Sequence, residues 1–502
     1  MLELIIFCSG TLVMVLEMVG ARVLAPHVGT SAVVWTSLIG VVLACLALGG
    51  YMGGRLADRR LSRRALAGLL ACCALSCALT ALFHQAVGEA AGRRIHSLQW
   101  AAVAAALGIF ALPGFCLGMV SPYIIRLRMA SLATAGATVG RLYALSTAGS
   151  IAGTFLGGFI LISWLPGSVI LWGVALGMAL LALLADLRRL GKRLLLLLGL
   201  LALAVWDCGR AEDGAWRLVE SPYNSIRIMD GKDGERPVRF MATDPGFSQS
   251  GMYRDAPDEL YFPYTRFYAL GPHVAPGAQR ILMLGGGGYS VPKWLLSGRA
   301  GLPDRALHCT VVELDPAMTR VARKYFALPA DDPRLRIVHA DARAFLERQD
   351  DPFDLVFVDV FNSCYTVPFH MGTVEAAARL RAAVAPGGAL LMNVIGAAQG
   401  PDAALFQSIY KALLTAFAEV HVFGVGSPYR PESLQNLMVL AFPEKRASDW
   451  LEDTGRTPPE TLALLSARMD VRPDPAIAPL RDDFAPVERY ALMLLAAQRA
   501  MR

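Results

Sequence analysis

The chain has 502 residues, 55% of them hydrophobic and only 18% charged, with nine cysteines and a formal charge of +6. Ordinary soluble chains carry about 25% charged residues, so this composition excludes a simple soluble enzyme, a disordered chain and a disulfide scaffold. The charge is modest and much of it lies between apolar runs, so nucleic acid is not an expected partner.

Length alone suggests about three domains. Residues 1–207 are apolar and form a helical membrane domain of six or seven helices; residues 210–502 read like a soluble protein. A spanning helix needs about 20 apolar residues. Six runs qualify, at residues 4–24, 33–53, 65–86, 98–120, 142–161 and 169–184. A seventh, 194–206, is short, at about 20 Å of helix. Glu17 in the first run, and the further runs after it, argue against a signal peptide. Glu17 and Arg22 are costly inside a bilayer, and each calls for a structural partner or a function. Gly149, Gly153 and Gly157 share one helix face and predict close helix approach. Cys72, Cys73 and Cys77 lie inside the third run and read as buried reduced thiols; no cysteine or histidine spacing suggests a metal site.

Positive residues tend to stay in the cytoplasm. Arg55, Arg59, Arg60, Arg63 and Arg64 follow the second run; Arg126, Arg128 and Arg141 follow the fourth; Arg188, Arg189, Lys192 and Arg193 follow the sixth. All three groups are cytoplasmic if the N-terminus is inside, with Arg93 and Arg94 as a weak exception. A spanning seventh run puts the soluble half outside, and an interfacial one keeps it inside. The segment Gly54-Arg55-Leu56-Ala57-Asp58-Arg59, followed by Arg63-Arg64, resembles the second loop of major facilitator transporters.

In the soluble half, residues 210–275 predict a small β region, with strand signals at 223–229 and 238–242 and an aromatic stretch at 260–270 leading into a helix. Residues 276–502 alternate strands and helices. Strands are expected at 280–284, 309–313, 335–338, 355–359, 389–394, 420–424 and 437–441, with helices from about Val291 and Pro316. The expected class is therefore an α-helical polytopic membrane domain joined to an α/β Rossmann-like domain with a small N-terminal β region. Ligands of such sheets sit outside the carboxyl ends of the strands. There the chain places Gly285-Gly286-Gly287-Gly288, Glu313, Asp341 and Asp359. Glycines permit close backbone approach by a ligand. A carboxylate at Glu313 suits ribose hydroxyls, and Asp341 suits an adenine edge. The glycine loop lacks the Lys-Ser/Thr of a triphosphate site, which favours a nucleoside.

With these residues in place, 220–442 resembles spermidine synthase, an aminopropyltransferase with a methyltransferase-like Rossmann fold. The matching segments are 221–228, 249–250, 262–266, 284–287, 312–316, 340–342 and 353–359. The chain as a whole, including 21–34, 46–59 and 141–162, resembles the membrane-fused spermidine synthase-like (polyamine aminopropyltransferase) family. The resemblance implies that Gly285, Gly286 and Gly287 line the nucleoside, Glu313 holds the ribose, and Asp341 with Ala342 meets the adenine. Asp359 would be the base at the reacting amine and Tyr264 would orient that amine. Gln249 would lie near the propyl amine, with Asn362 also in the substrate site. Two positions depart from the family pattern. Gly288 stands where the glycine loop has an aspartate, and Asn362 where a second acid follows the catalytic one. A buried amine losing a charged partner forfeits roughly 1.5–3 kcal/mol.

The implied donor is decarboxylated S-adenosylmethionine, or S-adenosylmethionine itself, with no metal. The acceptor is a small-molecule amine or a membrane-delivered molecule; the bilayer is the other partner, and a homodimer stays open. One alternative is methyl or aminocarboxypropyl transfer from S-adenosylmethionine. Another is a polyamine transporter whose soluble domain senses a nucleoside. The expected location is an inner membrane of bacterial type, with residues 210–502 in the cytoplasm because the donors are made there.

Overall fold

A computed structural model describes residues 1–490, apart from 30, 96, 130–134, 211–216, 222, 244–247, 304–305, 361–367, 453–456 and 488. Contacts divide the chain into two compact units, Met1–Ser225 and Ile226–Arg502.

The first unit is helical. Its elements are α1 Leu2–Val28, α2 Ala32–Arg59, α3 Arg63–Arg94, α4 Leu98–Gly118, α5 Val120–Arg128, α6 Ala135–Phe155, the short α7 Ile162–Trp164, α8 Gly167–Ala185 and α9 Leu190–Arg210, followed by strand β1 Arg217–Glu220. Six helical stretches among the described residues are long and apolar enough to cross a membrane. They contain the six apolar runs of the sequence. The fourth is interrupted at Met119, between α4 and α5. Pro122 has no N–H to offer the preceding turn, which accounts for the break. The fifth continues from α6 through a π-helical turn, Leu156–Leu161.

The glycine stripe acts as expected. A Cβ on Gly149 or Gly153 would run into the backbone of Phe7 or Thr11 on α1, and Gly157 sits against Met18. Arg22 finds structural partners: it pairs with Glu220 at 3.2 Å and donates to the carbonyl of Ile162 at 2.6 Å.

The seventh run is longer than the sequence suggested, at 21 residues in α9, about 31 Å of helix. It lies antiparallel along α8. Near its start Arg193 meets Asp186 at 3.3 Å, and near its end Asp207 accepts from Trp172 Nε1 at 3.0 Å. The helix is thus tied to its neighbour near both of its ends.

The second unit holds two sheets. Strands β2 Ser225–Asp233, β3 Arg236–Ala242 and β4 Ser250–Tyr253 pair antiparallel in sequence order. The turn between β2 and β3 uses Gly234 at φ +60°. The aromatic stretch folds as α10 Pro263–Arg266, a 3-10 turn Phe267–Ala269 and α11 Leu270–Val274.

The larger sheet has strands β5 Arg280–Leu284, β6 His308–Glu313, β7 Leu335–His339, β8 Phe353–Val358, β9 Val384–Gly396, β10 Glu419–Gly424, β11 Gln435–Phe442 and β12 Arg468–Met469. Its spatial order is β12-β10-β11-β9-β8-β5-β6-β7. The run from β9 to β7 is parallel, while β11, β10 and β12 join antiparallel. The helices between the strands are α12 Ser290–Leu296, α13 Pro316–Tyr325, α14 Ala342–Leu346, α15 Val374–Ala383, α16 Ala404–Leu414 and, before β12, α17 Pro459–Ser466.

The central strands are nearly continuous apolar runs, as strands covered on both faces must be. Leu282, Leu284, Val356, Val358, Leu390 and Val394 are fully buried, against Phe406 and Ile409 of α16. Strand order reverses between β5 and β8, and such a switch point opens a crevice at the strands' carboxyl ends.

Candidate active site

The loop after β5 is built for close approach. Gly285 has φ +92° and Gly287 φ +51°. A Cβ on Gly285 would strike the carbonyl of Asp359, because Asp359 N donates to Leu284 O at 2.9 Å and the two strand ends lie side by side. We expect Gly285→Ala to cost at least about 1–3 kcal/mol from its backbone conformation alone. Thermal unfolding in detergent would show it, with Gly277→Ala as a neutral control, since Gly277 has open space around it.

Glu313 ends β6 and is buried. Its Oε2 accepts from Gly286 N at 2.8 Å and from Gly287 N at 3.2 Å, while Oε1 accepts from Asp315 N at 2.9 Å. One carboxylate thus shapes the glycine loop and the turn into α13. Burial raises its pKa above the usual range, and the three N–H donors offset part of that rise.

Asp359 follows β8. Its Oδ2 accepts from Tyr264 Oη at 3.1 Å and its Oδ1 from Asn393 Nδ2 at 3.0 Å. Asn393 is in turn held by Asn436 Nδ2 at 3.0 Å. Tyr264 stands on α10, whose following turn is anchored where Tyr268 Oη donates to Val358 O at 3.1 Å. Burial raises the Asp359 pKa, and the bonds from Asn393 and Tyr264 pull it back in part. Burial, and then the neighbouring Asp359 charge, hold the Tyr264 phenol well above its ordinary range. Tyr264 thus donates to an Asp359 carboxyl that burial makes more basic than a free one.

Asp341 caps α14, accepting from Ala344 N at 2.9 Å, and its other oxygen lies 3.2 Å from His370 Nε2. Ala342 is buried beside it. Gln249 precedes β4 and accepts from Thr243 Oγ1 at 3.2 Å. Its neighbour Ser250 supports the loop, accepting from Gly288 N at 2.9 Å. A Cβ on Gly288 would come within 2.8 Å of Ser250 Cβ, so an acid at that position would displace Ser250. Asn362 lies outside the described residues.

The structure thus gathers Gly285, Gly286, Gly287, Glu313, Tyr264 and Asp359 along the ends of β5, β6 and β8. Asp341 and Ala342 follow the next strand, β7. Asn393, Asn436 and His370 were not foreseen, and Ser250 entered only as part of the matching segment 249–250. Of the first three only Asn393 left a trace, as a polar residue inside the apolar run 389–394. Among the described residues no group of three or more His, Cys, Asp or Glu side chains converges as metal ligands would.

A parallel sheet with a glycine loop at its switch point and acids at successive strand ends defines a Rossmann-like unit. Similar curated proteins carry aminopropyltransferase names. The chain is 30% identical over 198 residues to a polyamine aminopropyltransferase of Vibrio vulnificus (strain CMCP6), covering 38% of this chain and 63% of the relative. It is 30% identical over 227 residues to a probable polyamine aminopropyl transferase of Bifidobacterium longum (strain NCC 2705), covering 45% of this chain and 44% of the relative. The chain therefore spans less than two thirds of either relative's length. Among solved structures, a probable spermidine synthase from Corynebacterium glutamicum ATCC 13032 aligns with a TM-score of 0.43 at 21% identity, over 53% of this chain and 96% of that one. Spermidine synthase from Thermotoga maritima aligns with a TM-score of 0.36 at 18% identity, over 55% and 87%. No family model matches the chain. The names of the curated relatives agree with the spermidine synthase-like resemblance read from the residues.

Proposed function

We propose that the chain is a membrane-bound transferase that moves an aminopropyl group from decarboxylated S-adenosylmethionine to an amine. The observation that carries this reading is the Asp359 carboxylate, gripped on one oxygen by Asn393 and on the other by Tyr264, beside the glycine loop. Gly286, Gly287 and Glu313 would cradle the nucleoside, and Asp341 with Ala342 would meet its base. The amine nitrogen attacks the methylene next to the sulfonium. A C–N bond forms, the C–S bond breaks, and 5′-methylthioadenosine leaves with the bonding pair. The proton from the new ammonium passes to Asp359. The leaving group is already activated, so the protein's task is alignment, which can supply about 7–11 kcal/mol of a barrier.

Gly288 supports a second reading. With Ser250 packed against it, that position holds no acid to grip a free propyl amine. A donor arm that keeps its carboxylate, as in S-adenosylmethionine, suits this loop, and aminocarboxypropyl or methyl transfer would follow. In both readings the acceptor is an amine or a membrane-delivered molecule.

The role of Asp359 has a pH signature. Only the carboxylate accepts a proton, so kcat/KM falls as pH falls through the raised Asp359 pKa. Tyr264→Phe removes a hydrogen bond that lowers that pKa, so its acid limb should move to higher pH. Asn393→Leu should shift it the same way. The amine's own ionisation affects all three proteins equally, so the shift between them isolates Asp359. Superimposable acid limbs would exclude Asp359 as the base.

A further inference from the structure

The contacts inside the first unit settle which way each helix runs. Gly149 and Gly153 of α6 face Phe7 and Thr11 of α1, so those two helices are parallel. A Cβ on Gly177 of α8 would lie 3.0 Å from Leu12, and one on Gly167 3.5 Å from Val23, so α8 runs opposite to α1. Gly49 and Gly53 of α2 abut Phe115 and Met119, which makes α2 and α4 parallel.

One end of the bundle therefore carries the Arg141–Glu3 pair at 3.1 Å, the Arg126–Asp58 pair at 3.0 Å and the Arg193–Asp186 pair at 3.3 Å. This is the end of the three arginine-rich loops. α9 starts here and runs back along α8. At the opposite end Asp207 meets Trp172, and Glu220 on β1 accepts from Gly167 N at 2.7 Å and pairs with Arg22. The Arg193–Asp186 pair at the start of α9 is sheltered, at 11% and 9% exposure, and a charge that loses its partner at such depth is costly. With the Asp207–Trp172 bond near its end, it holds α9 along α8. Its length of about 31 Å matches a hydrocarbon core of about 30 Å.

We infer that α9 is a seventh span, so that the synthase-like unit works on the membrane side opposite the arginine-rich loops and draws its donor and acceptor from there. Basic loops mark the cytoplasmic side; Arg55 to Arg64, Arg126, Arg128 and Arg188 to Arg193 outweigh the Arg93–Arg94 pair at the other end. Residues 226–502 follow Glu220 in the chain and are therefore non-cytoplasmic. A sulfonium nucleoside is a permanent cation, and a bilayer core is a prohibitive medium for a bare charge. A transport step that exports such a nucleoside must then precede this reaction. That consequence for substrates rests on the transferase reading; the placement of the unit does not.

The test uses the full chain in a bacterial inner membrane and two single substitutions at exposed positions. Tyr429→Cys is in the second unit, where Tyr429 is 89% exposed, and Leu61→Cys is in the arginine-rich loop, where Leu61 is 45% exposed. An impermeant maleimide applied to intact spheroplasts should label Tyr429→Cys above the unsubstituted chain, and Leu61→Cys only after lysis. The reverse pattern, or equal behaviour of the two positions, would overturn the inference. Donor added to the same spheroplasts reports separately. Absence of nucleoside product even after lysis would count against the transferase reading and leave the labelling result standing.

Discussion

Asp359→Asn should abolish turnover while leaving the site assembled. The expected loss in kcat is about 10²–10⁴-fold, the usual contribution of a positioned general base. The substitution is nearly isosteric. Asn393 can still donate to the side-chain oxygen, and the Tyr264 hydroxyl can turn to accept from the new amide. Affinity for 5′-methylthioadenosine, measured by equilibrium dialysis on the detergent-solubilised protein, should stay within a few-fold. Loss of turnover with binding retained separates proton acceptance from nucleoside recognition. Full activity in this variant would remove Asp359 from the chemistry.

Glu313→Ala should do the opposite and strike binding first. Three backbone N–H groups, those of Gly286, Gly287 and Asp315, converge on that one carboxylate. Each donor left buried and unpaired costs about 1–3 kcal/mol. The glycine loop would lose the anchor that holds its shape and, if Glu313 holds the ribose as proposed, the nucleoside would lose an acceptor. A fall in 5′-methylthioadenosine affinity of at least about a hundredfold, which is near 2.7 kcal/mol, is expected, together with a lower Tm. Glu313→Gln keeps an oxygen for the loop and should keep more of the Tm than of the affinity. Unchanged binding in Glu313→Ala would place the nucleoside elsewhere.

Much of this architecture was legible before the structure. Apolar runs of spanning length, and strands such as 280–284 and 309–313, carry their own signal, because a strand covered on both faces must be apolar throughout. Glu313 and Asp359 were legible for a related reason: an acid that closes an apolar strand stands out. What stayed hidden depends on partners distant in sequence. The Asn393–Asp359 bond joins residues 34 apart, and the Ser250–Gly288 bond residues 38 apart. Neither spacing means anything until the sheet order is known. Strand β4 has four residues, Ser-Gly-Met-Tyr, too few for an alternating pattern to appear. The full length of α9 was hidden because Lys192, Arg193 and Asp207 interrupt the apolar run, and only the structure shows Arg193 paired with Asp186, just after α8, and Asp207 with Trp172 on α8.

The proposed site suits either donor, and the nucleoside released tells them apart. The most direct measurement is mass spectrometry of the nucleoside released when the purified full chain meets decarboxylated S-adenosylmethionine or S-adenosylmethionine, with native membrane extract as the source of acceptor. Release of 5′-methylthioadenosine from the decarboxylated donor is the predicted result. The same nucleoside from S-adenosylmethionine alone would move the assignment to aminocarboxypropyl transfer. S-adenosylhomocysteine as the product, or donor bound with no nucleoside released, would contradict the account.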